Sequence, residues 1–68
     1  MTNTDMLKEK INLSGYKIGF IAEKCGITYQ AFLNRMKGEI EFRIDEARAL
    51  KEILNLTEEE TNDIFFAN

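Results

Sequence analysis

Three glycines divide the first half of the chain into short segments with helical periodicity. Gly15, Gly26 and Gly38 separate stretches in which apolar residues recur three and four positions apart, and strict alternation of apolar and polar residues is not sustained anywhere. This spacing predicts helices rather than strands. Two further helical segments follow in the second half. The 68 residues therefore predict one compact, all-α domain of five short helices.

Capping residues predict where several helices begin. Asn3 or Thr4 is expected to cap the first helix, and Thr28 the third. The fourth helix is expected to begin near Asp45, which is also a capping residue type. In the segment 57–60, a threonine followed by three glutamates has the spacing of a capping box, which predicts the start of a fifth helix.

The composition excludes several classes of protein. The chain has no histidine and one cysteine, so Ser-His-Asp and Cys-His catalytic sets and the common zinc sites cannot form. We therefore predict no enzymatic activity, no metal and no cofactor. The sequence has no apolar run long enough to span a membrane and no signal-peptide pattern at its start, so a cytoplasmic location is expected.

Charge is distributed unevenly along the chain. The net charge is −3, but residues 1–43 carry seven basic and five acidic side chains, whereas residues 44–68 carry two basic and seven acidic ones. One end of the molecule could therefore face phosphate groups while the other end faces away. Charged side chains that simply face solvent would explain the same asymmetry nearly as well.

The middle of the chain has the residue pattern of a helix-turn-helix, over about residues 17–38. Ala22 is small enough for two helices to approach closely, and Gly26 suits a tight turn that requires positive φ. Apolar residues flank the turn at Ile21, Cys25, Ile27 and Phe32. In such a motif the second helix is exposed and can enter the major groove of DNA.

The chain resembles the phage repressor and Cro group, the XRE-type helix-turn-helix proteins. The resemblance is carried by KIGFIAEKCGITYQAFLNRMKG (17–38) and by DEARALKEILNL (45–56). The tail, LTEEETNDIFFA, is similar to those of small phage and prophage regulators of Gram-positive bacteria. The resemblance covers about residues 4–67. It implies a lambda-repressor-like domain over residues 1–68 and a Cro-like transcriptional regulator that binds double-stranded operator DNA as a homodimer.

The resemblance also implies which side chains contact DNA. Glutamine and asparagine can each pair with two atoms of an adenine, and threonine and tyrosine can contact a thymine methyl group or a phosphate. The residues expected to contact bases are Thr28, Tyr29, Gln30 and Asn34. The residues expected to contact phosphates are Lys17, Arg35, Lys37 and Arg43.

Three positions depart from the family pattern. Arg35 stands where an apolar residue is usual, so either Met36 takes over the packing or Arg35 lays its stem on the core and extends its guanidinium to a phosphate. Gly19 lies within the second helix, where it allows either a close helix crossing or a close approach to DNA. Ile18 stands where a phosphate-binding glutamine is frequent, so Lys17 would have to take over that contact.

The apolar end of the chain leaves two alternatives open. Ile64, Phe65 and Phe66 either pack against the first helix or form a subunit interface. A second function also stays open, in which the protein acts as an antirepressor or modulator of repression by binding a partner repressor. The acidic net charge and the apolar tail favour this second function, whereas Gln30, Asn34 and the basic residues favour DNA.

Overall fold

Five helices and a final π-helical turn make up the protein in a computed structural model that describes residues 1–67. The predicted all-α, five-helix architecture is confirmed, and these residues contain no strand. No helix among them is long and apolar enough to cross a membrane. The elements are α1 (Thr4–Ser14), α2 (Ile18–Cys25), α3 (Tyr29–Met36), α4 (Ile44–Ile53), α5 (Glu58–Thr61) and the π-helical turn (Asn62–Phe66), which continues α5 directly.

Side-chain caps begin three of the helices. The side-chain oxygens of Asn3, Thr28 and Thr57 each accept a backbone N–H at 3.0–3.1 Å, at the starts of α1, α3 and α5. Glu60 returns the bond at α5 by accepting the backbone N–H of Thr57 at 2.9 Å, which completes the predicted capping box. These local interactions satisfy N–H groups that the helices leave without partners.

The start of α4 lies where the sequence predicted it, but the helix is capped differently. It begins at Ile44, so Asp45 lies in its first turn rather than at the capping position. Arg43 occupies the capping position, and its side chain has no acceptor atom. Instead, Glu46 reaches back and accepts the backbone N–H of Arg43 at 3.0 Å.

The turn between α2 and α3 has a well-defined backbone geometry. Gly26 has a φ of 77°, in the left-handed region that side chains with a Cβ atom disfavour. The backbone N–H of Ile27 donates to the carbonyl of Ala22 at 3.1 Å, and that of Gly26 to the carbonyl of Glu23 at 3.0 Å. These bonds close α2 and fix the direction in which α3 leaves it.

Helices α1 to α4 and the π-helical turn contribute to one hydrophobic core. The ring of Phe42, in the connection before α4, packs edge-on against Phe32 at 5.6 Å and against Phe65 at 5.7 Å between centroids. The buried apolar residues are Leu7, Ile11, Ile21, Ala22, Phe32, Ala47, Leu50, Leu56, Ile64 and Phe65.

The C-terminal segment packs against the start of α1. The backbone N–H of Asn3 donates to the carbonyl of Ile64 at 2.6 Å, and the Lys10 ammonium donates to Glu60, which holds the pKa of that carboxyl below its usual range. Ile64 is fully buried and Phe65 is 8% exposed, whereas Phe66 is 54% exposed. Of the two alternatives for the apolar end, Ile64 and Phe65 follow the first and pack in the core next to α1, which corrects a subunit interface at these two residues and leaves it open at Phe66.

Candidate nucleic-acid interface

One side of α3 is anchored in the core and the other faces solvent. Phe32 is fully buried and fixes the inner side of the helix. Thr28, Tyr29 and Gln30, at the start of the helix, are all exposed, and Asn34 is half-buried one turn after Gln30. All four residues predicted to contact bases therefore lie at the start or along the accessible side of one short helix.

Gln30 and Asn34 form a hydrogen-bonded pair. The side-chain amide nitrogen of Gln30 donates to the amide oxygen of Asn34 at 3.0 Å. This bond leaves the amide oxygen of Gln30 and the amide nitrogen of Asn34 available to other partners. The pair thus presents both an acceptor and a donor, the combination that the major-groove edge of adenine complements.

The hydroxyl oxygen of Thr28 has a structural role, whereas its hydroxyl hydrogen does not. Its oxygen accepts the backbone N–H of Ala31 at 3.0 Å and so caps α3. The hydroxyl hydrogen is not needed for that cap and can be donated to another acceptor. Capping and a contact with DNA are therefore compatible at this residue.

Basic side chains lie at both ends of α3. Lys37 immediately follows the last residue of the helix, and Lys17 lines an open cleft together with Tyr29 at its start. Neither lysine forms an ion pair within residues 1–67. Arg43 is exposed and makes only a loose surface pair with Asp45 at 3.4 Å, which contributes little to stability.

Arg35 is placed differently from the other predicted phosphate contacts. Its guanidinium faces Glu46 of α4, with 2.8 Å between Nε and Oε1 and 3.2 Å between Nη2 and Oε2, and Nη1 donates to the carbonyl of Ala31 at 3.1 Å. The side chain is 12% exposed. This placement corrects the expectation of a phosphate contact at Arg35. Met36 packs against the core, as the alternative interpretation required.

The start of α2 provides further hydrogen-bond donors. Lys17 occupies the capping position and no side chain caps the helix, so backbone N–H groups of the first turn lack side-chain acceptors. A Cβ atom added at Gly19 would meet only the ring of Tyr29, at 4.0 Å, so helix packing does not require glycine at this position.

An aromatic cleft beside α3 is a feature that the sequence analysis missed. The rings of Tyr16 and Phe20 lie 5.1 Å apart, and the Lys24 ammonium lies 5.4 Å from the Phe20 ring centroid. Tyr29 lines the same cleft, which has a volume of about 720 Å³. The available signal was the spacing of Phe20 and Lys24 by four residues, which places them on one ridge of α2, with Tyr16 just before the helix.

Cys25 is an unreactive thiol. It packs against the core, and burial raises the pKa of its thiol to about 11, so little reactive thiolate exists near neutral pH. Residues 1–67 contain no group of three or more cysteine, histidine or carboxylate side chains that could hold a metal ion.

No protein-family model matches the chain, and no curated protein or solved structure matches it significantly. Relatives therefore assign no role to any residue of α3. Only the exposure and hydrogen bonding of the side chains themselves bear on what this surface binds.

Proposed function

We propose that the protein is a sequence-specific DNA-binding transcriptional regulator of the Cro type, acting in the cytoplasm. The observation that carries this proposal is the accessible amide pair of Gln30 and Asn34 on α3. Exposed and half-buried amides are not needed for the core, and together they match the donor and acceptor pattern of a base edge. Thr28 and Tyr29 extend the same surface at the start of the helix.

The charges around α3 support a polyanionic partner. Lys17 and Lys37 flank the helix without ion pairs in the described residues, and Arg43 is exposed. The N–H groups at the start of α2 add donors of the kind that bind phosphate. In this proposal these groups hold the DNA backbone while α3 reads the bases.

Wild-type protein is expected to bind duplex DNA with an affinity that falls steeply with salt. Lys17→Ala and Lys37→Ala should each lower the magnitude of the slope of log affinity against log salt by about 0.9, because each removes one phosphate contact. The measurement is a fluorescence anisotropy titration across salt concentrations, on a site selected from a random duplex library.

Lys10→Ala is the matched control for this titration. Lys10 is paired with Glu60 where α1 meets α5, so its removal should leave the slope unchanged. A wild-type protein with no affinity for any duplex would contradict the proposed function. Unchanged slopes in both α3-flanking variants would exclude Lys17 and Lys37 as phosphate contacts.

The proposal includes a homodimer, because two-fold operators require two copies of α3. Phe66 and Ile44 are 54% and 63% exposed and border one groove between α4 and the C-terminal segment. Arg48 lies on one wall of that groove and Glu58 on the other. A surface with an apolar rim and opposite charges on its two walls can pair with a second copy of itself around a two-fold axis.

Replacing Phe66 by alanine is expected to weaken self-association by about tenfold or more, since it removes an aromatic side chain from the apolar rim of the proposed interface. Sedimentation velocity over a range of protein concentrations measures the effect. Leu13→Ala, which removes an even more exposed apolar side chain from α1, should not change the association. Equal effects of the two substitutions would contradict this choice of interface.

The alternative function, binding a partner repressor as an antirepressor or modulator of repression, is favoured by one observation. The aromatic cleft of Tyr16, Phe20 and Tyr29 exposes apolar surface of the kind that protein interfaces use. Binding to a repressor in the absence of any affinity for DNA would support this alternative. Sequence-specific binding to DNA that depends on Gln30 and Asn34 would support the first proposal.

A further inference from the structure

The contact between Arg35 and Glu46 is a two-point ion pair removed from solvent. Both nitrogens of the fork, Nε and Nη2, face the two carboxylate oxygens, and the side chains are only 12% and 4% exposed. A bidentate pair constrains the angle between its partners as well as their distance. It therefore fixes the side of α3 that carries Arg35 relative to α4.

The same carboxylate also fixes the start of α4. Glu46 Oε1 accepts the backbone N–H of Arg43 at 3.0 Å in addition to the bond from Arg35 Nε at 2.8 Å. The guanidinium of Arg35 makes one further bond, in which Nη1 donates to the carbonyl of Ala31, one turn earlier in α3. The guanidinium is thus bonded both to its own helix, α3, and to Glu46 in the first turn of α4.

Few other contacts join α3 directly to α4. The backbones of α2 and α4 pack closely, as do those of α2 and α3, whereas α3 and α4 approach each other only sparsely. Replacing a buried ion pair by apolar groups is often neutral or favourable for stability. Stability alone therefore does not account for an arginine at this position.

We infer that Arg35 and Glu46 are positioning residues that set the orientation of α3, and with it the direction in which Gln30 and Asn34 point. The inference rests on the proposed function, since it concerns the surface that would read DNA. Arg35 directly follows Asn34 and lies five residues after Gln30. A rotation of α3 about its axis would therefore move both amides together.

The test uses the double variant Arg35→Met and Glu46→Gln. Methionine keeps an unbranched apolar stem, and the glutamine oxygen can still accept the N–H of Arg43, so the fold should persist by circular dichroism. Affinity for the selected DNA site should fall by about tenfold or more, because misdirected amides lose their base contacts. Affinity for unrelated DNA and the salt slope should not change.

Two further variants sharpen this test. Arg35→Lys keeps the charge and loses the two-point geometry, so it should also reduce the preference for the selected site even if the double variant fails to fold. Lys10→Met with Glu60→Gln removes a more exposed ion pair, between α1 and α5, and should leave that preference unchanged. A loss of salt slope by about 0.9 in the double variant of Arg35 and Glu46 would instead identify Arg35 as a phosphate contact and overturn the inference.

A readout without DNA separates this inference from the proposed function. Residual dipolar couplings of the backbone amides report the angle between α3 and α4 in the wild type and in the Arg35 variants. A changed angle is expected, and an unchanged angle would overturn the inference whether or not DNA binds. Absence of DNA binding by the wild-type protein would overturn the proposed function alone.

Discussion

Simultaneous replacement of Gln30 and Asn34 by alanine is expected to lower affinity for the selected DNA site by about 100-fold or more. Each amide that pairs with a base edge contributes roughly 1–3 kcal/mol of discrimination, and about 1.4 kcal/mol corresponds to a tenfold change in affinity. Affinity for unrelated DNA should change little, because the lysines that flank α3 remain. Competition binding against unrelated duplex DNA measures the ratio of the two affinities.

The single variants and a control complete this experiment. Because Gln30 and Asn34 are hydrogen-bonded to each other, the effects of the single substitutions are not expected to add up to that of the double. Asn12→Ala removes an exposed amide from α1 rather than α3 and should leave the preference for the selected site intact. An unchanged preference in the double variant would show that α3 does not read the site through these amides.

Replacement of Phe32 by alanine is expected to lower the free energy of unfolding by about 3–5 kcal/mol. Phe32 is fully buried and packs edge-on against Phe42, so its loss leaves a cavity between α3 and the rest of the core. A domain of this size rarely has more than about 3–5 kcal/mol of stability. Most molecules should therefore be unfolded, which urea titration followed by circular dichroism can measure.

Phe20→Ala is the matched control for this experiment. Phe20 is 41% exposed and contacts Tyr16 and Lys24 at the surface rather than the core. Its loss should lower the free energy of unfolding by less than about 1 kcal/mol, as is usual for surface substitutions. A similarly small loss for Phe32→Ala would contradict the assignment of Phe32 as the anchor of α3.

Features encoded by neighbouring residues were predictable from the sequence. The caps at Asn3, Thr28 and Thr57 each bind an N–H group three residues away, and Gly26 determines the backbone conformation of its own turn. Sequence spacing alone therefore indicated the number of helices and their order. Gln30 and Asn34, four residues apart, also lie on one accessible side of α3, since helical periodicity determines that arrangement, and Thr28 and Tyr29 lie at its exposed start.

Features that depend on distant residues were not predictable in the same way. The partner of Arg35 is eleven residues away, and nothing in the local sequence indicates that Glu46 is buried beside it. The expected capping role of Asp45 failed for the same reason, because the start of α4 depends on that carboxylate rather than on a side-chain cap. Burial of Ile64 and Phe65 depends on contact with the start of α1, some sixty residues earlier in the chain.

The bond between the two amides of α3 has a further consequence for recognition. A side chain that becomes immobilised in an interface loses rotational freedom, at a cost of about 0.5–1.5 kcal/mol. Gln30 and Asn34 already restrict each other before any partner arrives. Part of the entropic penalty of complex formation is then incurred during folding, so that the surface meets its ligand preorganised.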